Sequence, residues 1–507
     1  MLLSRHSTRA IANLAMASGL AGCTVGPDYV HPPIVATSAE SGAPFRRIGD
    51  LPTAPLTTDP RWWQAFGDQL LDQLIAQALE SSPSIAIAEA RLGRSRGMLR
   101  QQEANLLPQV GASATYLRYR LPLPDVSDAI SASADPTTIP KIPNKIDGGL
   151  WSGGFDATWE IDLFGGKRRQ RDASRAQAEA AEAQLADAQI SLAAEVAQAY
   201  IDLREQQQRV ILSNRATILD RQSLALTEQQ FRQGAASRED LERLRAQLAQ
   251  TRSQELPLAA QVEQSLNRLA VLIGREPGFV DADLVKPAPV PRPPARLPVD
   301  DPASMLRRRP DIRAAERQIA ASTAQIGVSE AARFPTVSLL GMIGLGGPSL
   351  GDLSVKDFTA IGTPMLRWNF LDFGRARSQV RQAEAQRDEA LEQYRQTVLQ
   401  ALQDAENSLA QFRGQRGALA SRIEGQRAAA TAAEMVRQRR EQGAASTIDL
   451  LDSQRQRNNA DQQLAQAYAK IANGYVAVAK SMGIGWSALR TGKTSSPTAT
   501  GNPSGDL

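Results

Sequence analysis

The sequence carries one unit twice. Trp159, Phe164, Gly165, the run Gln233-Gly234-Ala235-Ala236-Ser237, Asp240, Leu241 and Gly274 recur 209 residues later, as Trp368, Phe373, Gly374, Gln442-Gly443-Ala444-Ala445-Ser446, Asp449, Leu450 and Gly483. Upstream, Pro83, Ile85, Ala88, Glu89, Glu103, Pro108 and Val110 recur at a spacing of 227, as Pro310, Ile312, Ala315, Glu316, Glu330, Pro335 and Val337. The spacings differ by 18, so one insertion separates the copies, and it falls between Pro108 and Trp159. A tandem duplication predicts a pseudo-symmetric body made of two copies of one supersecondary unit.

Bulk properties exclude several classes. Net charge is +4 over 507 residues, and Arg and Glu are mixed along the chain, without the clustered basic face that nucleic-acid binding needs. There is one cysteine, Cys23, and two histidines, His6 and His31, whereas a zinc site or a catalytic triad needs such residues in clusters; this scarcity leaves carboxylate chemistry open but makes an enzyme a poor expectation. No constellation of acid, base and nucleophile supports an enzyme, and no metal or cofactor is expected. No stretch reaches the ~18–20 apolar residues of a membrane-spanning helix, so any span must be made of strands.

The first residues read as an address. Arg5 and Arg9 precede a short apolar run, Ile11 to Leu20, and Leu20-Ala21-Gly22-Cys23 follows. This is a signal peptide whose end resembles a bacterial lipobox, with Cys23 as the acylated first residue of the mature chain. The alternative is an ordinary signal peptide with a chance cysteine. Thr24, in place of Asp, fits delivery to the outer membrane. The lipid expected on Cys23 is N-palmitoyl plus S-diacylglycerol, and more than one chain is what stable anchoring requires. From Pro27 to Pro60 the composition reads as an extended tether.

Between Lys167 and Gln233 lie 67 residues with neither Gly nor Pro, enough for a helix of about 100 Å. Leu192, Val196, Ala199 and Leu203 form the stripe of a coiled coil. Gly234 ends it, Ser237 caps the next helix, and Glu239 and Asp240 sit where the helix dipole favours acids. The second copy repeats this from Arg375, with Ser446 or Thr447 as cap; Gly414, Gly417 and Gly425 weaken its middle. Shorter helices are expected at about Leu70–Asn105 and Asp301–Arg333, each stacking on a post-turn helix to match a long one.

Alternation in Trp151–Leu163 and Phe358–Phe370 predicts strands with one apolar face, and weaker candidates are Gln109–Arg120 and Thr336–Gly346. The two readings are membrane strands, with lipid outside and water inside, and a soluble half-buried sheet. Under the first, four strands cannot close a barrel and open edges are not tolerated in lipid, so several chains must share one. The long link, Leu121–Leu150, carries the insertion. The expected divisions are 1–22 signal peptide, 23–60 lipidated tether, 61–276 first repeat with strands about 109–120 and 151–163, 277–300 Pro-rich linker, 301–489 second repeat with strands about 336–346 and 358–370, and 490–507 disordered tail.

The stretches Cys23-Thr-Val-Gly-Pro-Asp-Tyr29, Trp159-Glu-Ile-Asp-Leu-Phe-Gly165, Leu269-Ala-Val-Leu-Ile-Gly274, Arg308-Arg-Pro-Asp-Ile-Arg-Ala-Ala-Glu316, Ala324-Gln-Ile-Gly327 and Gln442-Gly-Ala-Ala-Ser-Thr-Ile-Asp-Leu-Leu-Asp452 resemble, in register, the TolC family of outer-membrane efflux proteins, in its OprM/NodT-type lipoprotein branch. The resemblance implies an α+β membrane protein. In it, a homotrimer shares a 12-stranded β-barrel continued by a 12-helix periplasmic α-barrel. It implies a passive exit duct for drugs or other small toxic compounds, served by an inner-membrane pump and a periplasmic adaptor. A duct for protein or peptide secretion is the alternative within the fold, and a non-channel coiled-coil lipoprotein scaffold the alternative outside it. By the same resemblance Asp449 and Asp452, on one helix face, with Ile448, form a periplasmic gate. Ordinary first-turn acids are the alternative. Arg440 and Ala445 replace family lock residues, so Arg440 is expected to lock against an acid of a neighbouring helix. Gly234, Ala235, Gly443 and Ala444 are expected at adaptor-docking tips, where a glycine would in any case permit the turn.

Overall fold

The computed structural model describes residues 24–33, 43–55, 61–122, 145–349, 351 and 358–486. The signal peptide, Cys23, most of the first hairpin link and the expected tail lie outside the described residues. The main elements are α1 (Gln69–Ser81), α2 (Pro83–Ala104), β1 (Gln109–Pro122), β2 (Lys145–Ile161), α3 (Gly166–Arg232), α4 (Arg238–Leu272), α5 (Pro302–Arg308), α6 (Pro310–Ala331), β3 (Thr336–Gly347), β4 (Phe358–Arg367), α7 (Arg375–Glu441) and α8 (Thr447–Ser481). The copies match element for element: α3 and α7 have 67 residues each, α4 and α8 have 35, and α2 and α6 have 22.

Two compact units cut across this duplication. One takes the chain up to His31, Arg94–Ala178 and Arg317–Leu391; the other takes Pro32–Gly93, Glu179–Glu316 and Glu392 onward. Each unit therefore draws on both repeats.

The first unit holds an antiparallel sheet in the order β1-β2-β3-β4. Its hairpin registers obey the duplication: Gln109 faces Thr158 in the first hairpin, and displacing these by 227 and 209 gives the observed Thr336–Arg367 pair of the second. Because side chains alternate across a strand, the registers collect Val110, Ala112, Ala114 and Tyr116 with Trp151, Phe155, Ala157 and Trp159 on one face. Leu339, Ile343, Phe358 and Leu366 share it. The opposite face carries Ser113, Thr115, Ser152, Asp156, Thr158 and Glu160, but also Leu340, Met342 and Ile361. Phe155 and Leu366 are among the apolar side chains left exposed.

Two strands end differently from expectation. β2 begins at Lys145 rather than near Trp151. Gly148 and Gly149 lack side chains for an alternation to show, yet cross-strand tyrosines cover them: a Cβ on Gly148 would lie 2.6 Å from Tyr119 Oη, and one on Gly149 3.0 Å from the Tyr116 ring. Glycine in a strand is tolerated where a neighbouring ring fills its place. β4 stops at Arg367, so Trp368 and Phe370 fall beyond it, as Leu163 falls beyond β2. Near these ends the copies match again. The Trp159 indole N–H donates to the Leu106 carbonyl at 3.1 Å, and Trp368 donates to that of Arg333 at 3.2 Å.

The second unit is a helical layer around one apolar core. Leu192, Val196, Ala199 and Leu203 are all at most 4 % exposed, as the stripe requires, and they share that core with Leu71, Ile75, Leu269, Leu409, Tyr475 and Val476. Farther along α3, polar residues join Leu212, Ala216 and Leu219 among the buried positions: Ser213, Thr217, Asp220, Ser223 and Thr227. The polar ones keep three- and four-residue spacing, so a polar stripe runs beside the apolar one. Asp220 accepts from Thr251 Oγ1 at 2.6 Å on α4, and Asn458 of α8 donates to the Leu212 carbonyl at 2.9 Å. α7 runs unbroken through Gly414, Gly417 and Gly425. Each glycine costs about 1 kcal/mol in a helix, and the packing of Leu409, Phe412 and their neighbours in the core carries the helix through.

Each expected shorter helix is two helices. Ser82 (ψ 132°) and Arg309 (ψ 123°) are extended, and Pro83 and Pro310 each begin a new helix. Proline disfavours helical backbone at the residue before it and suits the first position of the helix after it. The stacking itself is present. Ser81 Oγ donates to the Ile273 carbonyl at 2.8 Å, at the end of α4, and Arg309 donates to the Ser481 carbonyl at 3.0 Å, at the end of α8. The stretch read as a tether is docked in two places. On the second unit, the Arg46 and Arg47 amides donate to Glu406 at 2.8 and 2.7 Å, and Thr53–Ala54 pairs in parallel with Leu297–Pro298.

Candidate functional site

The two helix turns of the second unit are built alike. α3 and α7 each end in a glycine with left-handed backbone, Gly234 at φ 75° and Gly443 at φ 76°. The Gly443 and Ala444 amides donate back to the Arg440 and Arg439 carbonyls at 3.1 and 2.7 Å, and Gly234 and Ala235 do the same to Phe231 and Gln230 at 3.0 and 2.8 Å. This double bond pattern closes a helix whose end residue must have positive φ. A Cβ at either glycine would meet nothing within 4 Å. The four expected tip residues, Gly234, Ala235, Gly443 and Ala444, are therefore exposed at turns set by backbone geometry.

Each following helix opens with a capping box. The Ser446 hydroxyl accepts from the Asp449 amide at 3.1 Å, and the Asp449 carboxylate accepts from the Ser446 amide at 2.9 Å and its hydroxyl at 2.7 Å. Ser237 and Asp240 repeat this one copy earlier. Ser446, not Thr447, is thus the cap. These hydrogen bonds to Ser446 hold the Asp449 carboxyl below its ordinary value, and those to Ser237 do so for Asp240.

The other expected gate residues sit in the same turn. Asp452 pairs with Arg455 at 3.1 Å and remains half exposed. Ile448 is half-buried. Arg440 donates to the Thr447 hydroxyl at 3.0 Å, across the turn. Arg439 donates to the Ala444 carbonyl at 3.2 Å, and Arg437 is held by Glu434 and Glu441. The sequence had shown the acids, but not that Thr447 would meet Arg440.

A second constellation, in the first unit, was not foreseen. Val25 donates to the Phe164 carbonyl at 3.1 Å. The buried Arg169 donates to the Val25 and Gly26 carbonyls at 3.2 and 3.0 Å and pairs with Asp28 at 2.8 Å. A Cβ on Gly26 would come within 2.4 Å of Gly327 Cα, and one on Gly165 within 2.2 Å of Thr24 Cγ2. Three separate motifs thus meet in one clasp: the run after Cys23, Phe164-Gly165 and Gly327. Each was visible as a string; their contact was not.

The family of outer membrane efflux proteins matches residues 74–275 and 302–484. Nodulation protein T of Rhizobium leguminosarum bv. trifolii is 29% identical over 476 residues, covering 92% of this chain and 95% of its own length. The solvent efflux pump outer membrane protein SrpC of Pseudomonas putida is 28% identical, covering 92% and 96%. Among solved structures, the outer-membrane channel OprN superposes with a TM-score of 0.79 at 33% identity, covering 92% of this chain and all of its own. Such proteins are channels rather than enzymes and use no cofactor. The chain belongs to the outer membrane efflux protein family and has the duplicated α+β fold of the TolC-type channels.

Proposed function

We propose that this chain is the exit duct of a tripartite efflux system. Three copies share a 12-stranded barrel in the outer membrane and a 12-helix tunnel in the periplasm. The duct passively conducts drugs or other small toxic compounds delivered by an inner-membrane pump and a periplasmic adaptor. Acyl chains on Cys23 anchor it. The observation that carries this reading is the sheet. One face is apolar from Ile161 to Trp151 on β2, with its ion-paired charges, Arg120 and Asp147 at 2.9 Å, placed farther along. At about 3.4 Å per residue and a tilt near 45°, that face is about 24 Å tall, close to the apolar band of an outer-membrane barrel. Pump relatives such as SrpC favour small-molecule efflux over protein secretion.

In this reading Asp449, Asp452 and Ile448 narrow the periplasmic end, Arg440 braces the turn through Thr447, and the tips at Gly234-Ala235 and Gly443-Ala444 receive the adaptor. Single-channel conductance in planar bilayers tests it, comparing wild type with Asp449→Ala/Asp452→Ala. Small cation-selective currents that grow in the variant are expected. No channel from folded, oligomeric protein would remove the duct reading and leave a scaffold.

A further inference from the structure

The apolar face of the sheet changes chemistry at one end. Along β2 its residues Ile161, Trp159, Ala157, Phe155 and Trp151 lead away from the helices. The rings of Trp151 and Tyr116 meet at the end of this band, with centroids 4.5 Å apart. Beyond Tyr116, on the same face of β1, stand Arg118 and Arg120. Their side chains are 71 % and 64 % exposed, and they share one carboxylate: Asp147 lies 2.9 Å from Arg120 and 4.0 Å from Arg118. Arg118 is itself opposite Gly149, which offers no side chain. Two guanidiniums to one carboxylate leave a positive charge uncompensated.

The second copy carries no counterpart of these arginines. Displacing Arg118 and Arg120 by 227 gives Leu345 and Gly347. Pairing in the second hairpin stops at Leu345 with Phe358, the counterpart of Arg118 with Gly149. The first hairpin runs on through Arg120 with Asp147 to Pro122 with Lys145. Both hairpins pair into the same sheet, so strand pairing does not require the arginines. An exposed ion pair adds about 0–1 kcal/mol, so stability does not account for them either.

We propose that Arg118 and Arg120 bind the phosphate groups of lipid in the outer leaflet, with Tyr116 and Trp151 at the edge of its acyl chains. The proposal rests on the membrane-barrel reading above and names a lipid contact which that reading leaves open. Height supports it. The link of the first hairpin lies at the end of the sheet opposite the helices, so helices in the periplasm put the arginines on the outer side. At the same rise and tilt as before, Arg118 stands about 5 Å and Arg120 about 10 Å beyond the Trp151 end of the apolar band, the level of headgroups and not of hydrocarbon. Chemistry supports it as well. Aromatic rings favour the boundary between hydrocarbon and headgroups. The guanidinium's fork of N–H donors matches phosphate oxygens, and a phosphate balances the charge that the shared Asp147 leaves over.

Native mass measurement of protein released from vesicles tests this by counting the lipid it retains. The full chain is reconstituted in phosphatidylcholine vesicles that carry either bis-phosphorylated lipid A or the same lipid A stripped of its phosphates. Wild type should retain the phosphorylated form. Arg118→Gln/Arg120→Gln should retain it at least about tenfold less, as loss of charge-assisted hydrogen bonds implies. The stripped form should be held weakly and equally by both proteins. Equal retention of the phosphorylated form by wild type and variant overturns the proposal while leaving the barrel standing. So does equal retention of the two lipids by wild type, a comparison that decides even where the variant assembles poorly. Displacement of the lipid by inorganic phosphate would mark a site for the free anion and overturn docking to the leaflet. Folded protein that floats with neither kind of vesicle overturns the barrel too.

Discussion

Trp159 reaches past the end of its strand to the carbonyl of Leu106, at 3.1 Å, and so ties the foot of β2 to the turn that leads into β1. Trp368 repeats the bond to Arg333. A net hydrogen bond of this kind is worth about 1 kcal/mol. Trp159→Phe keeps most of the ring and loses the donor, so it should lower the urea midpoint of the purified channel by an amount corresponding to about 1 kcal/mol. An unchanged midpoint would mean that water replaces the bond.

The duplication made the element pattern legible because offsets of 209 and 227 leave traces in residue types. The long helices, the turns at Gly234 and Gly443 and the capping serine at 237 all follow from local chemistry. What stayed hidden is non-local. No periodicity shows that Tyr119 covers Gly148, which is why the start of β2 was misplaced. Nothing around Arg169 shows that its guanidinium closes on Val25 and Gly26, more than 140 residues earlier. The breaks at Ser82 and Arg309 were readable, since Pro83 and Pro310 stood in the sequence, but helical composition on both sides outweighed them.

Asp449 serves its own helix whether or not it lines a gate, since it closes the capping box with Ser446. The first copy supplies the control. Asp240→Ala removes the acid's half of the equivalent capping box, and Asp449→Ala removes that half and the proposed gate charge together. Bilayer current should rise in Asp449→Ala and stay near wild type in Asp240→Ala. Equal rises would assign the effect to loosened helix starts and not to charge at a constriction.

Arg169 holds the residues that follow Cys23, and its guanidinium is satisfied by their two carbonyls and by Asp28. A hydrogen bond from a charged donor contributes about 2 kcal/mol, so Arg169→Ala should speed exchange of the Val25 amide about 30-fold in native-state hydrogen exchange. Exchange as slow as in wild type would mean that the close fit of Gly26 on Gly327 holds the segment without Arg169.

Asp187 gives the clearest pH dependence. It borders a cavity of about 430 Å³ in the second unit, together with Arg309, Asp311, Asp404 and Lys480. Burial pushes its carboxyl above the ordinary value and Asp311 adds to this, while Lys480 and Arg309 pull the other way without cancelling it. Arg309 does not depend on Asp187, being held by Asp311 at 2.6 Å and Asp404 at 3.7 Å. A folded value above the unfolded one means that the ionised form is disfavoured in the fold. The protonated carboxyl therefore adds stability that is fully present below the unfolded pKa and is lost as pH rises through the folded one. At neutral pH the ionised group is a net cost. Asp187→Asn removes it, so the variant should unfold at a higher urea concentration than wild type near neutrality. The difference should shrink as pH falls through the carboxylate range, where wild type takes up its proton. A variant less stable than wild type at neutral pH would show that attraction to Lys480 and Arg309 outweighs the burial of the charge.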